Sequence, residues 1–221
     1  MAHDEATPDE PAATVDRVRH AILTGDLAPG DRLVELQLTD RFEVGRAAIR
    51  SALVELEKEG LVDRTANRGA TVRRVRLGEA IQITQARQAL ESLCAAQAAS
   101  NATDPERDEL RQIRGDMQAA ADDDRSADYS HLNALLHRRL CEISRHDVAA
   151  ELVVNLRHRA AHHQFRLALR PGRMSESLPQ HEAIIGAVVD GDADAARRAM
   201  HDHLESVIET LSEWSDLGLI V

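Results

Sequence analysis

The sequence predicts a mainly α protein in two parts: a small module of three helices and a β-hairpin, then an all-α antiparallel bundle of about six helices. Three observations carry this. The chain is 43% hydrophobic but only 2% aromatic, and its apolar residues are rich in Ala and Leu, which favour helix. Strand signals are confined to residues 61–75, and none follows Leu77. Charge is unevenly shared. Residues 1–12 carry four acids and no base, residues 13–75 eleven bases against ten acids, and residues 76–221 sixteen bases against twenty-four acids. A length of 221 residues fits one large or two modest domains. The charge steps divide it into a tail at 1–12, a first domain at 13–75 and a second at 76–221.

The tail is acidic and proline-containing and is expected to be disordered. The first helix should run from Thr14 to Thr24, with Val15, Val18 and Ile22 on one buried stripe. Gly25 ends it, and Ala28-Pro29-Gly30 makes a turn. A second, short helix begins near Glu35, with Leu38 and Phe42 one turn apart. Glu43-Val44-Gly45 turns into a third helix, Arg46 to Glu59. There Ile49, Leu53 and Leu56 face inward while Arg46 and Arg50 share a different face. After Gly60, Leu61 to Arg64 reads as a strand, Ala66-Asn67-Arg68-Gly69 as a hairpin tip and Thr71 to Val75 as the return strand. Three helices and a hairpin in this order form the winged helix-turn-helix pattern. In that pattern the outer face of the third helix offers donors to base edges in the major groove.

The net charge of −11 taken whole argues against a nucleic-acid partner. Residues 41–76 reverse this locally, with nine bases against five acids. All bases except Lys58 are Arg, which suits bidentate contacts to phosphate and guanine. The scarcity of aromatics excludes recognition by base stacking. No run of about 18 apolar residues offers a membrane span, and no basic, then apolar start suggests a leader. Cys94 and Cys141 form no CxxC pair and read as buried free thiols. A cytoplasmic protein that does not engage membranes is expected.

The run ILTGDLAPGDRLVELQLTDRFEVGRAAIRSALVELEKEGLVDRTANRGATV resembles the DNA-binding domain of GntR-superfamily bacterial regulators. The shared elements are the AI…G.L.PG.RL opening, the R…R.AL..LE.EGLV core and the NRGA.V wing. The resemblance implies that Arg46 and Arg50 read operator bases, with Ala47 between them, and that Arg32 and Arg41 lie near the DNA backbone. It also implies that the wing, Asn67, Arg68 and Gly69, enters the minor groove. Two departures stand out. Glu43 replaces the family's usual Gly, and Gly45-Arg46-Ala47-Ala48 replaces its Ser-Arg-Thr-Pro, which removes two hydroxyls from the reading end.

Six helices follow, at about 77–100, 104–121, 126–144, 147–169, 175–190 and 192–215, with Asp104 expected to cap the second and Pro105 in its first turn. Leu132, Leu135, Leu136 and Leu140 mark a buried stripe. Eleven histidines is a high count for this length. Asn133 and His137 share a helix face, while His181 and His203 sit on the last two helices. From spacing alone, two readings are open: convergence on a first-row divalent metal, or separate surface and hydrogen-bonded histidines.

Resemblance bears on that choice. HLNALLHRRLCEIS and QHEAIIGAVVDGDADAARRAMHDHL are similar to segments of the FCD effector domain of FadR-type GntR regulators. The resemblance implies a divalent metal, zinc, nickel or similar, held by Asn133, His137, His181 and His203. Its usual ligand at the first of these is Asp. With Asn the site keeps one more positive charge, which lowers metal affinity and favours an anionic effector. An octahedral ion with four protein ligands leaves two positions that a carboxylate can fill. His201 is expected at the surface, and His158, His162 and His163 as solvated or packing residues. ARQALESLCAAQAA resembles the first helix of that domain, and two readings stand for Arg87: a structural pair with Glu91, or a grip on an effector carboxylate.

The expected function is a homodimeric DNA-binding transcription regulator, with repression the commoner direction in the family. It would bind a palindromic operator in double-stranded DNA and respond to a small organic acid at or near a divalent metal. The alternatives are a metal-dependent helical-bundle enzyme and a regulator with a metal-free pocket.

Overall fold

The computed structural model describes residues 10–65, 69–160, 163, 167 and 170–216. The chain divides into two compact units, Met1–Val75 and Arg76–Val221.

The first unit contains α1 (Glu10–Leu23), β1 (Arg32–Leu33), α2 (Glu35–Phe42), α3 (Arg46–Lys58), β2 (Val62–Thr65) and β3 (Gly69–Val72). Val15, Val18 and Ile22 of α1 pack with Leu38 and Phe42 of α2 and with Ile49, Leu53 and Leu56 of α3 around one core. Residues 10–12, expected in the disordered tail, are instead helical. Composition misled there, because Pro11 sits in the first helical turn, where a missing N–H costs nothing. The β-hairpin gains an unexpected third strand. The antiparallel order is β1-β3-β2, with Arg32 opposite Thr71 and Val62 opposite Val72. Two residues are too few for an alternation signal, so β1 exists only through its partner strand. Gly30, at φ +90°, belongs to this join: a Cβ there would sit 2.1 Å from Arg74 Nε, which donates to the Pro29 carbonyl. Glu43 caps α2 in the left-handed region (φ 54°, ψ 47°), a conformation that favours glycine.

The second unit contains α4 (Leu77–Asn101), α5 (Asp104–Asp122), α6 (Ser126–Ile143), α7 (Asp147–Arg159), α8 (Arg173–Asp190) and α9 (Ala193–Asp216). Long α4 is the central element and packs on α6, α7, α8 and α9. Its buried Cys94, Ala95, Ala98 and Ala99 are small enough to admit these neighbours closely. Cys94 and Cys141 are buried free thiols packed with Ala149 and Val153. The cap of α5 is Thr103, not Asp104. The Glu106 carboxylate accepts from both the Thr103 N–H (2.9 Å) and its hydroxyl (2.8 Å), which sets the start one residue earlier. The helix expected at 147–169 is broken after Arg159, where Ala160 leaves helical geometry (φ −93°, ψ 5°) with no Gly or Pro to announce it, and residues 163 and 167 are helical again. Among the described residues, no helix is long and apolar enough to cross a membrane.

Candidate functional site

Helix α6 presents Asn133 and, one turn later, His137; α8 presents His181 and α9 His203. The three imidazoles are buried, at 1%, 1% and 3% exposure. One ligand atom from each lies within 4.8 Å of the others. Each ring is held by its Nδ1. His137 Nδ1 meets the Glu91 carboxylate, His203 Nδ1 meets Gln180 Oε1 at 2.9 Å, and His181 Nδ1 meets the Tyr129 hydroxyl at 2.9 Å. Glu91 and Gln180 offer acceptor oxygens, so His137 and His203 donate from Nδ1. Their Nε2 then carries the lone pair. Nε2 of His137 and His181, and Oδ1 of Asn133, are buried with no hydrogen-bond partner among the described residues. Buried acceptors normally find a donor. Lone pairs converging without one, each ring fixed from behind, form a donor set that fits a first-row divalent cation.

The electrostatics agree. Burial, then the neighbouring imidazole charges, hold His181 and His203 well below the ordinary histidine range. Burial also lowers His137, partly opposed by Glu91. Burial alone would raise Glu91, but Arg87 and His137 outweigh it and keep this carboxyl ionised, far below its usual range. Arg87 Nε donates to Glu91 Oε1 at 2.7 Å, and Arg157 Nη1 lies 3.9 Å from Glu91 Oε2. Burial, then Arg87, brings Arg157 down to about 10.

Asn133 and the three histidines line a cavity of about 60 Å³ that Arg87, Arg157 and Arg173 also line. Arg87 pairs with Glu91, the first of its two readings, and also lines the cavity. Sequence reasoning missed Tyr129, Gln180, Arg157 and Arg173, and saw Glu91 only as a mate for Arg87. No motif marks them, because each matters through a neighbour brought from another helix. His201 is exposed and lies 3.4 Å from Asp202. His163 is buried, His158 is half-buried, and His162 is outside the described residues.

The other candidate surface is on the first unit. Arg46, Ala47 and Arg50 are exposed along the first turns of α3, which starts at Gly45 without a side-chain cap. Arg50 Nε donates to Glu35 Oε2 at 2.8 Å. Arg41 donates to the Asp26 carbonyl at 3.2 Å, with its guanidinium 5.6 Å above the Phe42 ring. Arg32 is exposed on β1, and exposed Gly69 opens β3 at φ +87°. Asn67 and Arg68 lie outside the described residues.

Two family models match the chain: bacterial regulatory proteins of the gntR family over residues 12–72, and the FCD domain over residues 82–206. The chain is 28% identical over 211 residues to the HTH-type transcriptional repressor RspR of Escherichia coli, covering 92% of this chain and 91% of that protein. It is 31% identical over 226 residues to the Uxu operon regulator of Haemophilus influenzae, covering 90% and 81%. The fold is shared with E. coli McbR/YncC at TM-score 0.82 and 20% identity, over 95% of this chain and all of that one. These relatives are regulators, which sets aside the metalloenzyme alternative. The chain belongs to the GntR family: it is a DNA-binding transcription regulator whose helical unit is an FCD domain.

Proposed function

We propose that this regulator acts in the cytoplasm as a homodimer on a palindromic operator and represses transcription until a small carboxylate effector binds its helical unit. Arg46 and Arg50 read base edges in the major groove. Ala47, Arg32 and Arg41 lie along the backbone, and Asn67, Arg68 and Gly69 reach the minor groove. Asn133, His137, His181 and His203 hold a divalent ion, zinc or nickel, and Arg87 lies where an effector carboxylate docks. The ion, when bound, supplies a Lewis-acidic centre with positions open to a carboxylate. Glu91, Tyr129 and Gln180 fix the ring orientations that aim the ligand atoms inward. Effector binding shifts the dimer between geometries of different operator affinity.

The carrying observation is the convergence of buried, partnerless Nε2 atoms on one cavity. Metal analysis of the purified protein, beside a His137→Ala variant, tests it. About one metal per chain in the parent and loss in the variant is expected. Equal, near-zero metal in both overturns the metal half and leaves a metal-free pocket. A gel-shift on DNA upstream of the protein's own gene tests the regulatory half. Salt-sensitive, sequence-specific retardation is expected.

A further inference from the structure

The cavity beside the histidines holds two opposite kinds of unsatisfied group. On one side are two acceptors, Nε2 of His137 and Oδ1 of Asn133, beside Nε2 of His181, all without a partner among the described residues. On the other is a donor, Nη1 of Arg173, in a residue only 6% exposed. A cation satisfies the first set and repels the second. Among the described residues, Arg173 Nη1 is reached only by a long ion pair. Its nearest acid, Glu176, is half-exposed, 3.7 Å away, and already takes Arg170 at 2.6 Å. A guanidinium nitrogen left without a hydrogen bond at this depth is costly unless an anion completes it.

The charge count points the same way. Three guanidiniums, Arg87, Arg157 and Arg173, line the cavity; among the described residues Glu91 faces the first two, and half-exposed Glu176 reaches Arg173 while also taking a fourth guanidinium, Arg170. Glu91 balances one. Asn133 adds no charge, and a divalent ion at the histidines adds more of the same sign. A monoanion leaves this surplus largely uncompensated; a dianion halves or cancels it.

We propose that the effector is a compact dicarboxylate, with one carboxylate at the histidine cluster and the other on Arg173 and Arg157. This rests on the effector-site reading above and sharpens it. A bidentate fork from Arg173 suits the second carboxylate. The cavity of about 60 Å³ has room for roughly five waters, so a short diacid of about three or four carbons fits and a long chain does not. Ser126, Ser130 and Ser177 add hydroxyls to the lining. A wider cleft of about 460 Å³, lined by Arg170 and by Asp122 and Asp124, shares Ser126 and Met174 with the cavity.

The test uses the full chain. Its melting temperature is read against concentration for malonate and succinate beside acetate and propionate, each with and without Zn²⁺. The diacids should stabilise at concentrations at least about tenfold below the monoacids. Arg173→Gln, checked for fold by circular dichroism, should erase that preference. The parent comparison stands even if the variant fails to fold. Equal effects of monoacids and diacids, or monoacids alone acting, overturn the dicarboxylate inference while leaving a carboxylate site intact. No effect from any acid overturns both.

Discussion

Arginine does opposite work in the two units. On the first unit, Arg46 and Arg50 stand in solvent, and the Arg50–Glu35 pair is 65% and 37% exposed at its two side chains. In the second, the Arg87–Glu91 pair is 4% and 1% exposed. An exposed pair is screened and exchangeable, so Arg50 can trade a carboxylate for a base or phosphate at little cost. A buried pair has no water to fall back on, so its partner is fixed and its loss is felt throughout the site. The same side chain therefore stands free to exchange partners in one unit and is locked to a buried partner in the other.

The sharpest way to break this comparison is Glu91→Gln. It leaves Arg87 and Arg157 facing each other without a buried counter-charge and frees the His137 ring. We expect a loss of about 3–5 kcal/mol in the urea unfolding of the helical unit. A loss under about 1 kcal/mol would mean that the buried cluster is no different from a surface pair. On the reading side, Arg46→Ala and Arg50→Ala should each weaken operator binding by about 1–3 kcal/mol with the melting temperature unchanged. Gel-shift and thermal melts separate the two effects. Glu43→Gly should raise the stability of the first unit by about 1 kcal/mol, because glycine accepts the left-handed cap without the Cβ clash. The smallest expected effect is that of Glu35→Gln, about 0.2–1 kcal/mol on stability. Its informative readout is operator against non-operator affinity, which narrows if Glu35 holds Arg50 in its reading posture.

The parts of this fold that show in sequence are those written in periodicity. Helices α1 to α3 declare themselves through Val15, Val18, Ile22 and Ile49, Leu53, Leu56, and the bundle through its leucine stripes. Asn133, His137, His181 and His203 were nameable because their motifs are local, and the fold brings the three histidines to one cavity. What stayed hidden depends on other elements. β1 is two residues long and needs β3 to exist. The end of α7 carries no breaker residue. Arg173 begins a helix and reads as a surface base, yet it is buried and lines the cavity. Gln180 looks like any polar helix residue, and only the approach of α9 puts its oxygen against His203. Side chains that work through a partner on another helix leave no trace in spacing.

The thiols give the helical unit a built-in gauge. Cys94 follows Glu91 on α4 by about one turn, and Cys141 follows His137 on α6 by one turn, so the pair sits in the same seam as the Glu91–His137 contact. The hydrogen bond from Cys141 to Cys94, then burial, pushes the Cys141 thiol above its usual range and lowers Cys94, and both thiols are buried away from reagent. Labelling by a thiol reagent then requires the seam to part. The labelling rate becomes a clock for local opening beside the histidines, read without any introduced probe.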